Sequence, residues 1–218
     1  MKPLLASTRE RILATAEQLF AEGGVATTSL RTITSLARVN LAAVNYHFGS
    51  KEALIEAVYE RRLGPLNRAR LRNLDLLEAR AEPPAVAELV EAFVGPIVDF
   101  SARDAKEGLV FMRLLAQTYS EATQHFRKLF AREYAGVIKR YRAALARALP
   151  QLSTAELEWR LQFMVGAVNH AVADTVYLRL LAADSATPDL KGAARELVPF
   201  IVAGLQARSP RQTPADRH

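Results

Sequence analysis

The chain has 218 residues, half of them hydrophobic, with no cysteine and a net charge of +6. This is enough apolar material for a sizeable core in one domain or two small ones. The lack of thiols excludes disulfide frameworks, cysteine zinc sites and thiol redox sensing, and suits a reducing cytoplasm.

The charge is unevenly placed. Residues 1–80 hold 12 Lys and Arg against 8 Asp and Glu, and residues 81–218 hold 17 against 15. A basic N-terminal part points towards a polyanion. No apolar run approaches the ~18–20 residues that span a bilayer, and the N-terminus has no secretory pattern. The expectation is a cytoplasmic protein with no membrane partner, no cofactor and no metal.

From the N-terminus, Ser7 with Glu10 three residues later is a capping-box pattern. Ile12, Leu13, Ala16, Leu19 and Phe20 then share one helical face, and Gly23-Gly24 is a stop. Two short helices follow, Ser29–Ala37 and Asn40–Phe48, broken at Arg38-Val39-Asn40. Leu30, Ile33, Leu36 and Ala37 form one stripe, and Leu41, Val44 and Phe48 form the next. Two apolar stripes so close together predict a helix-turn-helix.

On the second of these helices the 100° step turns Ala42, Ala43, Tyr46 and His47 outward, with Asn45 on the flank. A small, polar outer face suits insertion into the major groove of DNA. Thr27, Thr28 and Ser29 stand at a helix N-terminus, where hydroxyls and unpaired N–H groups hold a phosphate. For Ser29 simple N-capping is equally open. Leu41, Ala42 and Ala43 offer few hydrogen-bonding groups, so contacts with thymine methyls are expected there. Asn45 is either an adenine ligand or a packing-edge residue.

Ser50 caps a fourth helix that carries Leu54, Ala57 and Val58. Gly64-Pro65 is expected to kink it, since proline removes one backbone hydrogen bond. Glu82-Pro83-Pro84 ends it. Beyond, helices are expected near 85–101, 108–119, 120–149, 154–183 and 188–207, with a polar, proline-containing tail from Ser209. The fold class is all-α. The expected units are a helix-turn-helix domain over 1–60, a helical domain over 61–208, and a disordered tail over 209–218.

The middle helices are rich in large apolar side chains. Most serve as ordinary core, and Phe93, Ile97, Met112, Leu115, Tyr119, Phe126 and Phe130 are the candidates for lining an elongated apolar pocket. Arg113, Asn169, His170 and Asp174 interrupt apolar runs. Each is either a ligand anchor or one half of a structural pair.

The run Asn45-Tyr46-His47-Phe48-Gly49-Ser50-Lys51-Glu52-Ala53-Leu54, preceded by the Thr27–Val39 segment, resembles the signature of TetR-type transcriptional repressors. The match covers about residues 7–60. The resemblance implies a homodimer on double-stranded operator DNA, with a near-palindromic site and a small hydrophobic effector. It gives Arg31 a contact with a guanine edge or phosphate. Tyr46, His47 and Lys51 take the places of residues that govern affinity. Arg38 stands where the family's turn usually has glycine, and Asn45 where an aromatic is frequent.

The resemblance also implies that the last two helices pair with their copies as a four-helix interface. Leu157, Leu161, Met164, Val165, Val168 and Val172 would supply one of them, and Leu197, Phe200, Ile201 and Leu205 the other. An intrachain core is the alternative use of these residues. Residues Val39–Lys51 together with Phe111-Met112-Arg113-Leu114-Leu115 resemble the branch that responds to long-chain fatty acids or their thioesters, which implies control of lipid-metabolism genes.

Other functions stay open. The same DNA-binding sequence serves an activator or a ligand-independent regulator. An enzyme or helical lipid carrier would use His125, or His170 with Asp174, as acid and base, but the chain has no nucleophile elbow and no phosphate loop.

Overall fold

The computed structural model describes residues 7–103, 108, 110, 111, 113, 114, 124–173 and 190–209. Among them lie eight delimited helices: α1 (Thr8–Gly23), α2 (Leu30–Ala37), α3 (Leu41–Phe48), α4 (Lys51–Glu78), α5 (Val86–Arg103), α6 (Gln124–Ala148), α7 (Thr154–Ala173) and α8 (Leu190–Gln206). Gly108, Val110, Phe111, Arg113 and Leu114 are helical as well. The described residues contain no strand, as an all-α chain requires.

Polar caps start these helices. The Ser7 hydroxyl accepts the Glu10 N–H at 3.2 Å, Ser29 accepts Thr32 at 3.1 Å, Asn40 accepts Ala43 at 2.8 Å and Ser50 accepts Ala53 at 3.1 Å. Each such cap contributes about 1 kcal/mol. At α7 the box is reciprocal: Ser153 N–H donates to the Glu156 carboxylate at 3.1 Å while Glu156 N–H donates to the Ser153 hydroxyl at 3.3 Å.

Helices α2 and α3 have eight residues each, too few to persist alone in water. They exist because Ile33, Ala37 and Val44 are buried against Ile12, Leu13, Ala16 and Phe20 of α1 and Leu54 and Val58 of α4. The expected apolar stripes are partly wrong here. Leu36 is 61% exposed and Leu41 45% exposed, and Thr34 is buried instead, its hydroxyl donating to the Arg31 carbonyl at 3.0 Å. The inner side of α3 is Val44, with Ala43, His47 and Phe48 half-buried beside it.

Helix α4 is one element of 28 residues with Pro65 inside it, so the connection between the halves is a long helix. Residues 60 and 61 lie inside it. Its first half packs on α1 and α3 and the rest on α5 and α6. Glu17 of α1 and Arg62 of α4 form a buried ion pair, and Arg61 reaches Glu10 at 3.3 Å on the surface.

In the C-terminal half, α5 lies between α4 and α8, and α7 packs on α6 and α8. Leu157, Leu161, Met164, Val168, Ile201 and Leu205 are buried within this one chain. Those residues, expected at a subunit interface, are intrachain core. Among the described side chains of α7 and α8, Trp159, Phe163 and Phe200 are the large apolar ones left exposed, at 61%, 64% and 70%. No helix among the described residues is long and apolar enough to cross a membrane.

Removing one partner of a buried pair strands the other charge. Glu17→Ala is therefore expected to cost about 3 kcal/mol in urea unfolding, whereas a loss below about 1 kcal/mol would mean that water already screens the pair.

Candidate nucleic-acid interface

Four side chains of α3 face outward together: Leu41, Ala42, Asn45 and Tyr46. Their spacing of one and four residues makes a continuous ridge. Tyr46 is the most prominent, 85% exposed, and its ring meets His47 edge-on at 5.0 Å. His47 and Ala43, expected on the same face, are instead turned partly towards the core. His47 also meets Phe48 at 6.3 Å, and the Arg9 guanidinium stands 5.3 Å from the Phe48 ring. The exposed ridge is narrower than the sequence implied.

The N-terminus of α2 also differs in detail. Thr28 is buried with its hydroxyl donated to the Gly24 carbonyl at 2.7 Å, and the Thr27 hydroxyl donates to the Gly23 carbonyl. A phosphate needs donors, and each hydroxyl has one proton. In this structure the two hydroxyl protons are used in closing the turn between α1 and α2. Ser29 is the N-cap, with its hydroxyl 2.8 Å from that of Thr32. The first N–H groups of α2 and the exposed Arg31 remain as donors at this end. Lys51 donates to the Val25 carbonyl at 2.9 Å, which ties the α1–α2 connection to the start of α4.

The α2–α3 turn explains how a non-glycine residue is tolerated there. Arg38 has φ 53° and ψ 51°, the left-handed conformation that glycine adopts without steric cost. Its backbone N–H still bonds the Ser35 carbonyl at 3.2 Å, and Val39 N–H bonds Thr34 at 3.0 Å. From α1, the Arg11 guanidinium donates to the Ala37 carbonyl at 2.9 Å and to the Arg38 carbonyl at 2.8 Å. It supplies positive charge where the carbonyls of α2 end. Sequence reasoning missed Arg11, because an arginine on the polar side of a helix looks solvated. The missing glycine at 38 was the available signal.

The ligand candidates divide. Phe93 and Ile97 are fully buried core, Asn169 is buried, and Arg113 and His170 are exposed. Phe126 and Phe130 belong to the first two turns of α6, while Met112, Leu115, Tyr119 and Asp174 lie outside the described residues. A groove of about 650 Å³ lies between α6 and α7, walled by Tyr134, Ile138, Leu161 and Val165 and edged by Lys139, Arg142 and Glu158. Arg142 and Glu158 pair across its edge at 3.1 Å. Of the candidates whose side chains the structure describes, Phe93, Ile97, Arg113, Asn169 and His170, none lines it.

A capped helix, a tight turn and a second helix with an exposed ridge, set on a larger helical unit, define a helix-turn-helix DNA-binding regulator. Residues 12–58 match the model of the bacterial regulatory proteins of the tetR family, and residues 91–204 match the tetracyclin repressor-like C-terminal domain. The chain belongs to the TetR family of transcriptional regulators.

It is 31% identical over 137 residues to the uncharacterized HTH-type transcriptional regulator YerO of Bacillus subtilis, covering 63% of this chain and 45% of that one. The chain spans about half the length of the sequence relatives it matches. Among solved structures, the fatty acid degradation regulator FadR of Bacillus halodurans superposes with a TM-score of 0.68 at 17% identity, over 94% of this chain and 100% of that one. FadR of Bacillus subtilis in complex with stearoyl-CoA gives 0.66 at 14%, over 89% and 97%. At these identities the likeness is one of fold.

Replacing Arg11 with methionine keeps the aliphatic stem and removes all three charged hydrogen bonds to the Ala37 and Arg38 carbonyls. The expected cost is about 1–2 kcal/mol in urea unfolding, with loss of DNA affinity as the turn loosens. Unchanged stability would show that Arg38 holds its conformation unaided.

Proposed function

We propose that the chain is a homodimeric repressor that occupies a near-palindromic operator and leaves it when a small hydrophobic effector, a long-chain fatty acid or its CoA thioester, enters the C-terminal half. The observation that carries this reading is the ridge of Leu41, Ala42, Asn45 and Tyr46, solvent-exposed on a helix whose other side is anchored by Val44. The ridge combines apolar Leu41 and Ala42 with the polar tips of Asn45 and Tyr46, and major-groove edges with thymine methyls and adenine acceptors and donors suit that mixture.

Pairing with a second copy rests on Trp159, Phe163 and Phe200. Trp159 and Phe163 stack at 5.9 Å, and Phe163 and Phe200 border a shallow apolar groove of about 280 Å³ between α7 and α8. Two copies joined along these helices bury the aromatics and present two copies of α3 to half-sites related by two-fold symmetry. The fatty-acid effector is supported by the shared fold with the FadR regulators and by the apolar groove between α6 and α7, whose volume falls in the usual range for a small-molecule site.

Selection of bound duplexes from a random pool is expected to return one near-palindrome, and hexadecanoate or hexadecanoyl-CoA is expected to release it. Recovery of no enriched sequence at moderate salt would defeat the DNA-binding reading, and a palindrome indifferent to both lipids would remove the effector class. Asn45→Ala is expected to relax preference at one base pair per half-site by about 1–3 kcal/mol, read from competition with single-base variants. Phe163→Glu combined with Phe200→Glu is expected to give a folded monomer by sedimentation, with operator affinity reduced by at least about tenfold; a dimer that persists would place the interface elsewhere.

A further inference from the structure

Arg70 is the largest side chain in the fully buried set, 1% exposed, at the middle of the C-terminal half of α4. Its Nε donates to the Phe93 carbonyl at 2.9 Å and one Nη reaches the Asn67 side-chain oxygen at 3.4 Å. The guanidinium carbon lies 3.9 Å from the Phe93 ring centroid and 5.6 Å from that of Tyr134. Among the described residues no carboxylate lies within ion-pair distance of it. The other partly buried arginine of this helix, Arg62, has Glu17.

This arrangement is unusual for a purely structural residue. A guanidinium in a protein interior keeps its charge, and a buried charge is normally paired. Here two of five N–H groups meet protein acceptors and aromatic faces provide the rest of the surroundings. The planar fork that remains matches a carboxylate.

The surroundings are held from one side. The Tyr141 hydroxyl donates to the Arg70 carbonyl at 3.0 Å, and its ring meets Phe93 edge-on at 5.1 Å. On the other side stands Tyr134, whose ring faces Arg70 and also forms part of the wall of the groove between α6 and α7. One aromatic side chain thus separates a buried cation from a groove of about 650 Å³ lined by Ile138, Leu161 and Val165.

We propose that Arg70 is the anion anchor of the effector site: the carboxylate of a long-chain aliphatic acid takes the free fork of its guanidinium, the hydrocarbon lies in the groove between α6 and α7, and Tyr134 turns aside to join the two. The inference rests on the effector-released reading above and gives that effector a chemical class, an apolar tail with one oxyanion head. Among the described residues Arg70 has no counter-charge, and in this reading the ligand brings it.

Calorimetry of the full chain with hexadecanoate, hexadecanol and hexadecanoyl-CoA below their aggregation concentrations tests it. The wild type is expected to bind hexadecanoate at least about tenfold tighter than hexadecanol, and Arg70→Met to bring the two within about twofold of each other while its hexadecanol affinity is kept. Arg70→Lys is expected to keep part of the preference. No preference in the wild type, or a preference that survives in folded Arg70→Met, overturns the anchor. A preference for hexadecanoyl-CoA over hexadecanol without one for hexadecanoate assigns the oxyanion to the CoA phosphates and overturns the carboxylate. Should Arg70→Met fail to fold, Tyr134→Ala decides: faster association of hexadecanoate supports the path, and an unchanged rate overturns it.

Operator binding measured on the same samples separates the two readings. Operator binding without a carboxylate preference removes the anchor and leaves the repressor, and an Arg70-dependent preference in a chain that selects no operator does the reverse.

Discussion

The buried ion pair between Glu17 and Arg62 is the constraint on which the two halves of the molecule depend. It sits where α1 crosses α4, and α4 belongs to both halves. A rigid helix of 28 residues rising about 1.5 Å per residue leaves no slack of the kind a flexible linker would supply. Arg62 also stands 5.5 Å from the Phe100 ring, Phe100 meets Phe111 at 4.9 Å, and the Tyr59 hydroxyl reaches the Leu114 carbonyl at 3.4 Å. The same few side chains therefore seat α1 on α4 and pack the end of α5 and the 108–114 region against it. Arg62 is thus in contact with both the α1 side, through Glu17, and the α5 side, through Phe100.

A second seam is more superficial. Arg140 bridges Asp75 and Glu78 at 2.7 and 2.6 Å, and Arg147 also pairs with Glu78, tying α6 to the end of α4. Burial pushes the Glu78 carboxyl up, but the two guanidinium groups outweigh it and hold its pKa below the usual range. Surface pairs of this kind contribute little each. Their role is orientation, keeping α6 in register along α4 so that Tyr134 and Tyr141 fall on either side of Arg70.

Much of the architecture was legible because it is written in local chemistry. Ser7, Ser29 and Ser50 each marked a helix start in the sequence, and all three are caps. Helix ends were placed within a few residues, as for α5, expected over 85–101 and found at Val86–Arg103. What periodicity did not contain was the partner of each stripe. In eight-residue helices two turns offer too few positions to fix the phase, so Leu36 and Leu41 were assigned inward while Thr34 took the buried place. On α7 the stripe of Leu157, Leu161, Met164 and Val168 was seen correctly as apolar, but α6 and α8 of the same chain cover it. The aromatics at 159 and 163 look incidental in sequence and stand out only once that core is filled. Arg70 was invisible for the opposite reason: an arginine among arginines on a long helix looks like solvated surface, and only the packing of α5 and α6 encloses it.

The left-handed Arg38 has a consequence for how this turn tolerates change. Its shape is a joint property of two distant positions, one contributing an uncomfortable backbone and the other a guanidinium that clasps the two carbonyls around it. A glycine at 38 would make the clasp dispensable and release position 11 to drift, whereas losing the clasp first leaves the left-handed residue to the backbone hydrogen bonds of Arg38 and Val39 alone. The order of substitutions therefore matters. The angle at which α3 leaves the turn was reachable by either route, and this chain has taken the one in which the first helix, far from any base edge, shares in setting it.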